Sequence, residues 1–434
     1  SVVGSNIMFI VLLIILILFL VWLPISDSDN MNFNKTLQVS NVLLTLSIFI
    51  LMSFSLNLHT GITGMVNFGV IFFVGIGAIT VGILTAPTDV HGYDWPVIPA
   101  AIVAILLAAA FGWALAYPTA RLRMDYFAIV TISLGEIVRV LLAGEPLLRV
   151  GSIGSAIGIS KYTLPLKQWW FCGSGVSIGP DSDYISADAC RDDELLLGPA
   201  NKVGEILNLV DVNGTVEPAP YMFLLAVIGM ISVVVVWWLL ETILSSPWGR
   251  ILKAIREDED VAQHHGHDVL SHKAASLALG AGIAGLAGVL WAWKLTGFEP
   301  SIMAPARSTF LVWAAFIIGG KANNKGMIVG AFIIVLMEFV FNVLVAAQGS
   351  PDLPLYSTAD SIDRLFKWLV IEQLDATKVF GIILLIGLLL QHRSIIDIGI
   401  SGVFIFLFSL LMLGERSIDE SFTGGIIRAD MAYV

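Results

Sequence analysis

The chain has 434 residues, of which 57 % are hydrophobic and only 13 % charged, far more apolar than a soluble domain needs to be. A formal net charge of -11 offers no basic surface and excludes nucleic acid as a partner. The composition is that of an integral membrane protein whose main contact is the lipid bilayer.

A helix needs roughly twenty apolar residues to cross the hydrocarbon core. Apolar runs fall at 7–23, 42–56, 66–84, 97–116, 126–142, 221–244, 274–295, 310–320, 327–345, 379–390 and 398–413. They predict an all-α integral membrane protein with about 10–11 transmembrane helices. The first run lacks a small-residue cleavage site and reads as a retained anchor. The runs at 310–320 and 379–390 are short, as tilted, broken or protein-buried helices are.

Basic residues in short loops set the orientation. If each run crosses once, Arg121, Arg123, Arg250, Lys253, Arg256, Lys273, Lys321, Lys325 and Arg393 share one side, the expected cytoplasm. The acidic loop at 143–220 then lies outside. Two glycosylation triplets, at Asn34 and Asn213, fall on that outer side. So do Cys172 and Cys190, which are read as a disulfide, the alternative being two small apolar fillers.

Between the second and third runs, Asn57, Gly61, Gly64, Asn67 and Gly69 interrupt the apolar pattern with glycines and polar groups. Irregular backbone at membrane depth is tolerated only where protein or a water-filled cavity receives its polar groups. Small residues that let helices pack closely are the alternative for any single glycine. In Tyr126-Phe127-Ala128-Ile129-Val130-Thr131, followed by Glu136 and Arg139, the two charges lie three apart on one helical face and can pair. Thr131, Glu136 and Arg139 are therefore candidates for lining a path or locking helices. Glu338, an acid inside the run 327–345, is another.

From Ser246 to Leu290 the chain carries a charged amphipathic segment between two apolar runs. Ile251, Leu252, Ala254, Ile255 and Val261 fall at helical spacing over 250–261, with Arg250, Lys253, Arg256, Glu257 and Glu259 opposite. Such a helix lies against something rather than crossing a bilayer.

The order Gly249-Arg250-x-Leu252-x-Ala254-Ile255-Arg256-Glu257-Asp258-Glu259-x-x-Ala262-x-x-x-Gly266, with the small-residue helix after it, resembles the coupling loop of permease subunits of branched-chain amino acid ABC importers. Urea and short-amide importer permeases are close relatives of these. The stretch 56–78, the segment 125–139 and the turn at 318–331 resemble the same family, with Ala322 standing where a glycine is usual and His264-His265 where small or hydrophobic residues are. The resemblance covers about 41–391. It implies two related helix arrays and a loop that docks on a separate ATPase subunit, with Gly249, Arg250, Lys253, Ala254, Arg256, Glu257, Asp258, Glu259, Ala262 and Gly266 as its residues. Implied partners are a second homologous permease subunit, two cytoplasmic ATPase subunits and an external substrate-binding protein, in the plasma membrane.

The chain then divides into an N-terminal anchor (1–40), a first helix array (41–142), an outer loop domain (143–220), a second array (221–394) holding the coupling loop at 245–273, and a C-terminal hydrophobic segment with an acidic tail (395–434).

No phosphate-cradling G-x-x-x-x-G-K-[ST] is present, since Gly319-Gly320-Lys321 runs on into Ala322. No cofactor is expected on this chain; ATP and Mg belong to the partner subunits. His264, His265, His267 and His272 lack a carboxylate or cysteine at ligand spacing and are read as solvated, so no metal is expected. No nucleophile, base and orienter stand together, which argues against an enzyme. The remaining readings are an importer permease, a secondary transporter using Glu136 or Glu338 to move protons, and an assembly protein.

Overall fold

The computed structural model describes residues 35–88, 91–119, 124–145, 148, 159–160, 162–165, 219–295, 297–305, 308–347, 357 and 360–361. The expected spans at 7–23, 379–390 and 398–413, the triplets at Asn34 and Asn213, Cys172, Cys190 and most of the 143–220 loop lie outside them. By contacts the chain forms two compact units, one holding the described residues up to Met337 and the other those from Glu338 on.

The first unit is built almost wholly of helices. α1 (Lys35–Leu56) runs into a π-helical turn at Asn57–Ile62. α2 (Val70–Thr85), α3 (Val97–Thr119) and α4 (Met124–Gly144) follow. After β1 (Ile159–Ser160) come α5 (Ala219–Ser245), α6 (Pro247–Glu257), α7 (Glu259–His264) and α8 (Val269–Leu295). β2 (Gly297–Phe298), a 3-10 turn at Pro300–Met303, α9 (Thr309–Gly319) and α10 (Asn324–Ala347) complete it, Glu338 falling in the part of α10 that belongs to the second unit.

Among the described residues five helices are long and apolar enough to cross a membrane: Val39–Ile62, Val97–Thr119, Tyr126–Gly144, Met222–Ser245 and Val269–Leu295. Two further apolar helices, Val70–Thr85 and Thr309–Gly319, are shorter. The sequence run at 66–84 is thus corrected: Val66 to Gly69 are non-helical, and the 16 residues of α2 reach only about 24 Å, short of a 30 Å core. Asn67, whose side chain bonds the Gly69 N–H, holds the helix start back to Val70.

α8 is the centre. α1, α2 and α3 pack around it, α5 packs on α1, and α4 on α2. Small residues permit this closeness. A Cβ on Gly77 would stand 2.2 Å from the Gly285 carbonyl oxygen, and one on Gly288 2.0 Å from that of Val74, so α2 and α8 meet backbone to backbone. α2 also doubles back toward the end where α1 began. There Thr163 N–H donates to Thr85, Tyr162 Oη donates to the Ala292 carbonyl, and β1 pairs antiparallel with β2, Ile159 opposite Phe298.

Candidate functional site

At the other end of α1, Asn57, Thr60, Gly61 and Thr63 are weak helix formers whose side chains compete for backbone groups. The ladder accordingly widens: the Thr63 N–H and hydroxyl both donate to the Leu58 carbonyl, at 3.1 and 2.8 Å, and Met65 N–H reaches His59. Gly64 turns the chain at φ +82°, a conformation that favours glycine. A π-turn of this kind opens the helix and marks functional positions in many folds.

The polar groups so exposed are received by protein. Asn57 Nδ2 donates to Asn324 Oδ1 at 2.9 Å, and its Oδ1 accepts from Ala322 N–H at 2.8 Å. Asn324 in turn donates to Glu241 at 3.2 Å. Ala322 holds φ +62°, which explains why glycine suits that place and what the alanine here must accommodate.

His59 is fully buried against Gly280, where a Cβ would lie 2.1 Å from Nε2. Its tautomer follows from its neighbours. Asn67 Oδ1 accepts from Gly69 N–H at 2.7 Å, so Asn67 Nδ2 donates to His59 Nδ1 at 2.9 Å, and Nε2–H donates to the Leu277 carbonyl at 3.2 Å. Since the Thr63 hydroxyl donates to Leu58, Ser276 donates to it, at 2.6 Å. Phe68 stacks on Trp313 at 4.3 Å, and the Trp313 indole donates to the Asn67 carbonyl. Thr131 accepts from Phe68 N–H at 3.1 Å and donates to Ala128. The break is thereby tied to α4, α8, α9 and the α9–α10 turn.

The charged segment lies beside the break. Gly249 allows the tight entry from α5, where a Cβ would meet the Leu244 carbonyl oxygen at 2.4 Å. The single amphipathic helix read over 250–261 is corrected to two. Asp258 adopts extended geometry (φ -155°, ψ 111°) and caps α7 by accepting from Val261 N–H, which ends α6 at Glu257. Two residues expected on the apolar face are exposed: Ala254, within α6, and Val261, past the break and 50 % exposed.

Leu252 and Ile255 are buried, and Ala262 packs with Ile255, Val269 and Ile251 in the segment's own small core. Gly266 ends α7 at φ +85° with open space where a Cβ would be, so backbone conformation rather than crowding requires glycine. Lys273 pairs with Glu259, fastening α7 to α8. Exposed residues of the segment include Arg250, Lys253, Ala254, Glu257, Glu259, Asp260, Val261 and His264. Hydrogen bonding from Arg256, with the Lys321 charge nearby, holds the Glu257 carboxyl below its ordinary pKa.

The family model described as the branched-chain amino acid transport system / permease component matches residues 38–389, most of the chain. The chain belongs to that family. Among curated relatives, it is 28 % identical over 292 residues to the high-affinity branched-chain amino acid transport system permease protein LivM of Escherichia coli. The match covers 67 % of this chain and 60 % of that protein. The LivM protein of Salmonella typhimurium matches at 29 % with the same coverage, and the probable LivM of Methanocaldococcus jannaschii at 24 %, over 70 % of this chain and 81 % of its own length. The chain thus spans 60 % of the length of the two bacterial relatives. No solved structure matches it. Membership agrees with the all-α, multi-pass membrane architecture.

Of the residues singled out in this permease-family sequence, the structure brings Asn57, Gly61, Gly64, Asn67, Thr131 and Arg256 together. Glu136 and Arg139 stand apart on α4, where Arg139 Nε donates to both Glu136 oxygens at 3.0 and 2.9 Å. The pair closes within one helix and, among the described residues, has no hydrogen bond to a second one. Glu338 belongs to the second unit. His59, Ser276, Gly280, Trp313, Asn324 and Glu241 complete the network without having been singled out. Ser276 and Gly280, one helical turn apart, carried a usable signal, a small polar stripe on the helix after the charged segment.

Proposed function

We propose that this chain is the membrane-spanning permease subunit of an ABC importer that passes branched-chain amino acids across the cytoplasmic membrane. In this reading it pairs with a second homologous permease subunit, receives substrate from an external binding protein, and is driven by two cytoplasmic ATPase subunits that hold the ATP and Mg. The observation that carries it is the placement of α6 and α7. An outward-facing charged segment with an exposed valine sits directly against a broken helix whose polar groups are received by protein. A proton-coupled carrier has no need of such a face. The break supplies the kind of place where transporters handle solute, irregular backbone lined by protein at depth.

The test is reconstitution of the chain with a candidate second permease and ATPase in vesicles, with leucine-loaded binding protein outside. Leucine uptake should require ATP, and Val261→Asp should abolish ATPase capture while the permease stays folded. Uptake that persists without ATPase and collapses with a proton ionophore would replace this reading with a secondary transporter. Uptake of urea but not leucine would keep the importer and change its substrate.

A further inference from the structure

Arg256 sits in the last turn of α6, at the point where a docking face would be expected to offer its cation. Its guanidinium is instead shared between the helix break and its neighbour Glu257. Nη1 donates to the Gly61 carbonyl at 2.8 Å, and Nη2 to Glu257 Oε1 at 2.6 Å. The aliphatic part is held as well. A Cβ on Gly64 would stand 3.0 Å from Arg256 Cγ and 3.4 Å from its Cα and Cβ, so the left-handed turn lays the broken chain directly on this side chain.

Gly61 lies near the end of the π-turn, where the helix ladder leaves carbonyls without successors, and a charge-assisted bond satisfies one of them. The same residue is wedged on its other side. A Cβ there would be 2.2 Å from Asn57 Oδ1 and 2.7 Å from Ala322 N, so displacement of its carbonyl is passed to the Asn57 amide and the α9–α10 turn.

We infer that Arg256 is a positioning residue that transmits movement of the α6–α7 segment to the helix break, and that it is not part of the surface that binds the ATPase. This rests on the importer reading and deepens it. Motion of α6 by an ångström or two would pull on a single carbonyl inside a turn whose hydrogen bonds are already widened. Such a junction can take two arrangements at low cost. The exposed Val261 and Ala254, by contrast, have no route to the break through a side-chain bond of their own.

The experiment uses the full chain assembled with the second permease and the ATPase subunits in vesicles, with leucine-loaded binding protein as the stimulus. Arg256→Gln should capture the ATPase within about twofold of the parent and keep basal ATP hydrolysis. Its stimulation by the loaded binding protein, and uptake with it, should fall roughly tenfold or more, the scale of losing one charge-assisted hydrogen bond. Arg256→Lys, which keeps the charge but not the fork, should recover part of the stimulation. Gly64→Ala keeps the guanidinium group but presses a methyl against Arg256 Cγ and strains the turn, so it should uncouple in the same way and carries the test should Arg256→Gln fail to fold. Loss of capture by Arg256→Gln at the level of Val261→Asp would make Arg256 a docking residue and overturn the inference. Normal stimulation in both Arg256→Gln and Gly64→Ala would overturn it too. Failure of the parent chain to capture any ATPase would instead sink the importer reading.

Discussion

In the spans that contain α1 and α8, 78 % and 72 % of the apolar window is buried inside the molecule, against 28 %, 22 % and 33 % for α3, α4 and α5. The central pair is on average slightly less apolar than the outer three, so apolarity does not decide which is central. What differs is the company the apolar residues keep. Ser47, Ser53, Asn57, His59, Thr63 and Ser276 sit buried along the first kind, together with glycines that let backbones touch. The second kind turns Ile98, Leu106, Trp113, Ile129, Val234 and Trp238 outward. Lipid accepts only the latter surface, so the helix break lies where protein can receive its polar groups.

The contrast is broken most severely at the backbone contacts of the central pair. Gly288→Leu would drive a side chain into the Val74 carbonyl, where nothing flexible can yield, and should cost about 3 kcal/mol or more. The expected result is loss of monodisperse protein in detergent. Gly144, at the end of α4, has open space around a Cβ, and Gly144→Ala should change thermal stability by no more than about 0.5 kcal/mol. Equal effects at both positions would mean that α2 and α8 do not touch as described.

His59→Leu comes next. It fills the space but strands the Asn67 amide, at about 1–2 kcal/mol, and removes the second hydrogen bond to the Leu277 carbonyl, which keeps its helical one. A thermal shift smaller than that of Ser133→Ala, whose exposed hydroxyl bonds only its own helix, would remove His59 from the network.

The outer spans hold an ion pair that sharpens the rule. Glu136 and Arg139 are partly exposed on α4 yet paired, so each lowers the cost of holding the other in the membrane. Glu136→Gln alone should destabilise by on the order of 1–2 kcal/mol, less than for a fully buried pair, and the double change of Glu136 to Gln and Arg139 to Met by less. Similar stability of single and double variants in a detergent melt would show that the pairing does not matter.

The same contrast explains what could be read from the sequence. Helices were legible wherever an apolar run exceeded membrane thickness, and the pairing of Glu136 with Arg139 followed from their spacing on one turn. The charged segment was recognised, but its division at Asp258 was not, because helical periodicity continues through a residue whose side chain is capping the next helix. The break at Asn57 to Gly69 was visible as glycines and polar residues. Its partners were not: Asn324 and Ser276 are more than 200 positions away, and only the folded packing brings them within a hydrogen bond. Arg256 was read as part of an outward basic face, since spacing says which side of a helix a residue occupies but not which neighbour claims its charge.

The smallest effect is expected where the segment is most exposed. Glu257 accepts from Arg256, with Lys321 adding attraction, and its pKa is lowered from the ordinary carboxylate value. A lowered folded-state pKa means that the pair's contribution is fully present above the unfolded carboxylate value and disappears as pH falls through the lower one. Both lie in the acid range, so between about pH 6 and 8 Glu257 keeps its charge throughout. ATPase capture by the assembled permease should therefore be flat across that window as far as this residue is concerned, and Glu257→Gln should change its level without introducing a slope. The measurement is capture against pH for the parent and for Glu257→Gln at fixed salt, because an exposed pair is also screened by ions. A slope in the parent that vanishes in Glu257→Gln would show that this carboxylate titrates near neutrality, and the hydrogen bond from Arg256 would then have to be absent from the working assembly.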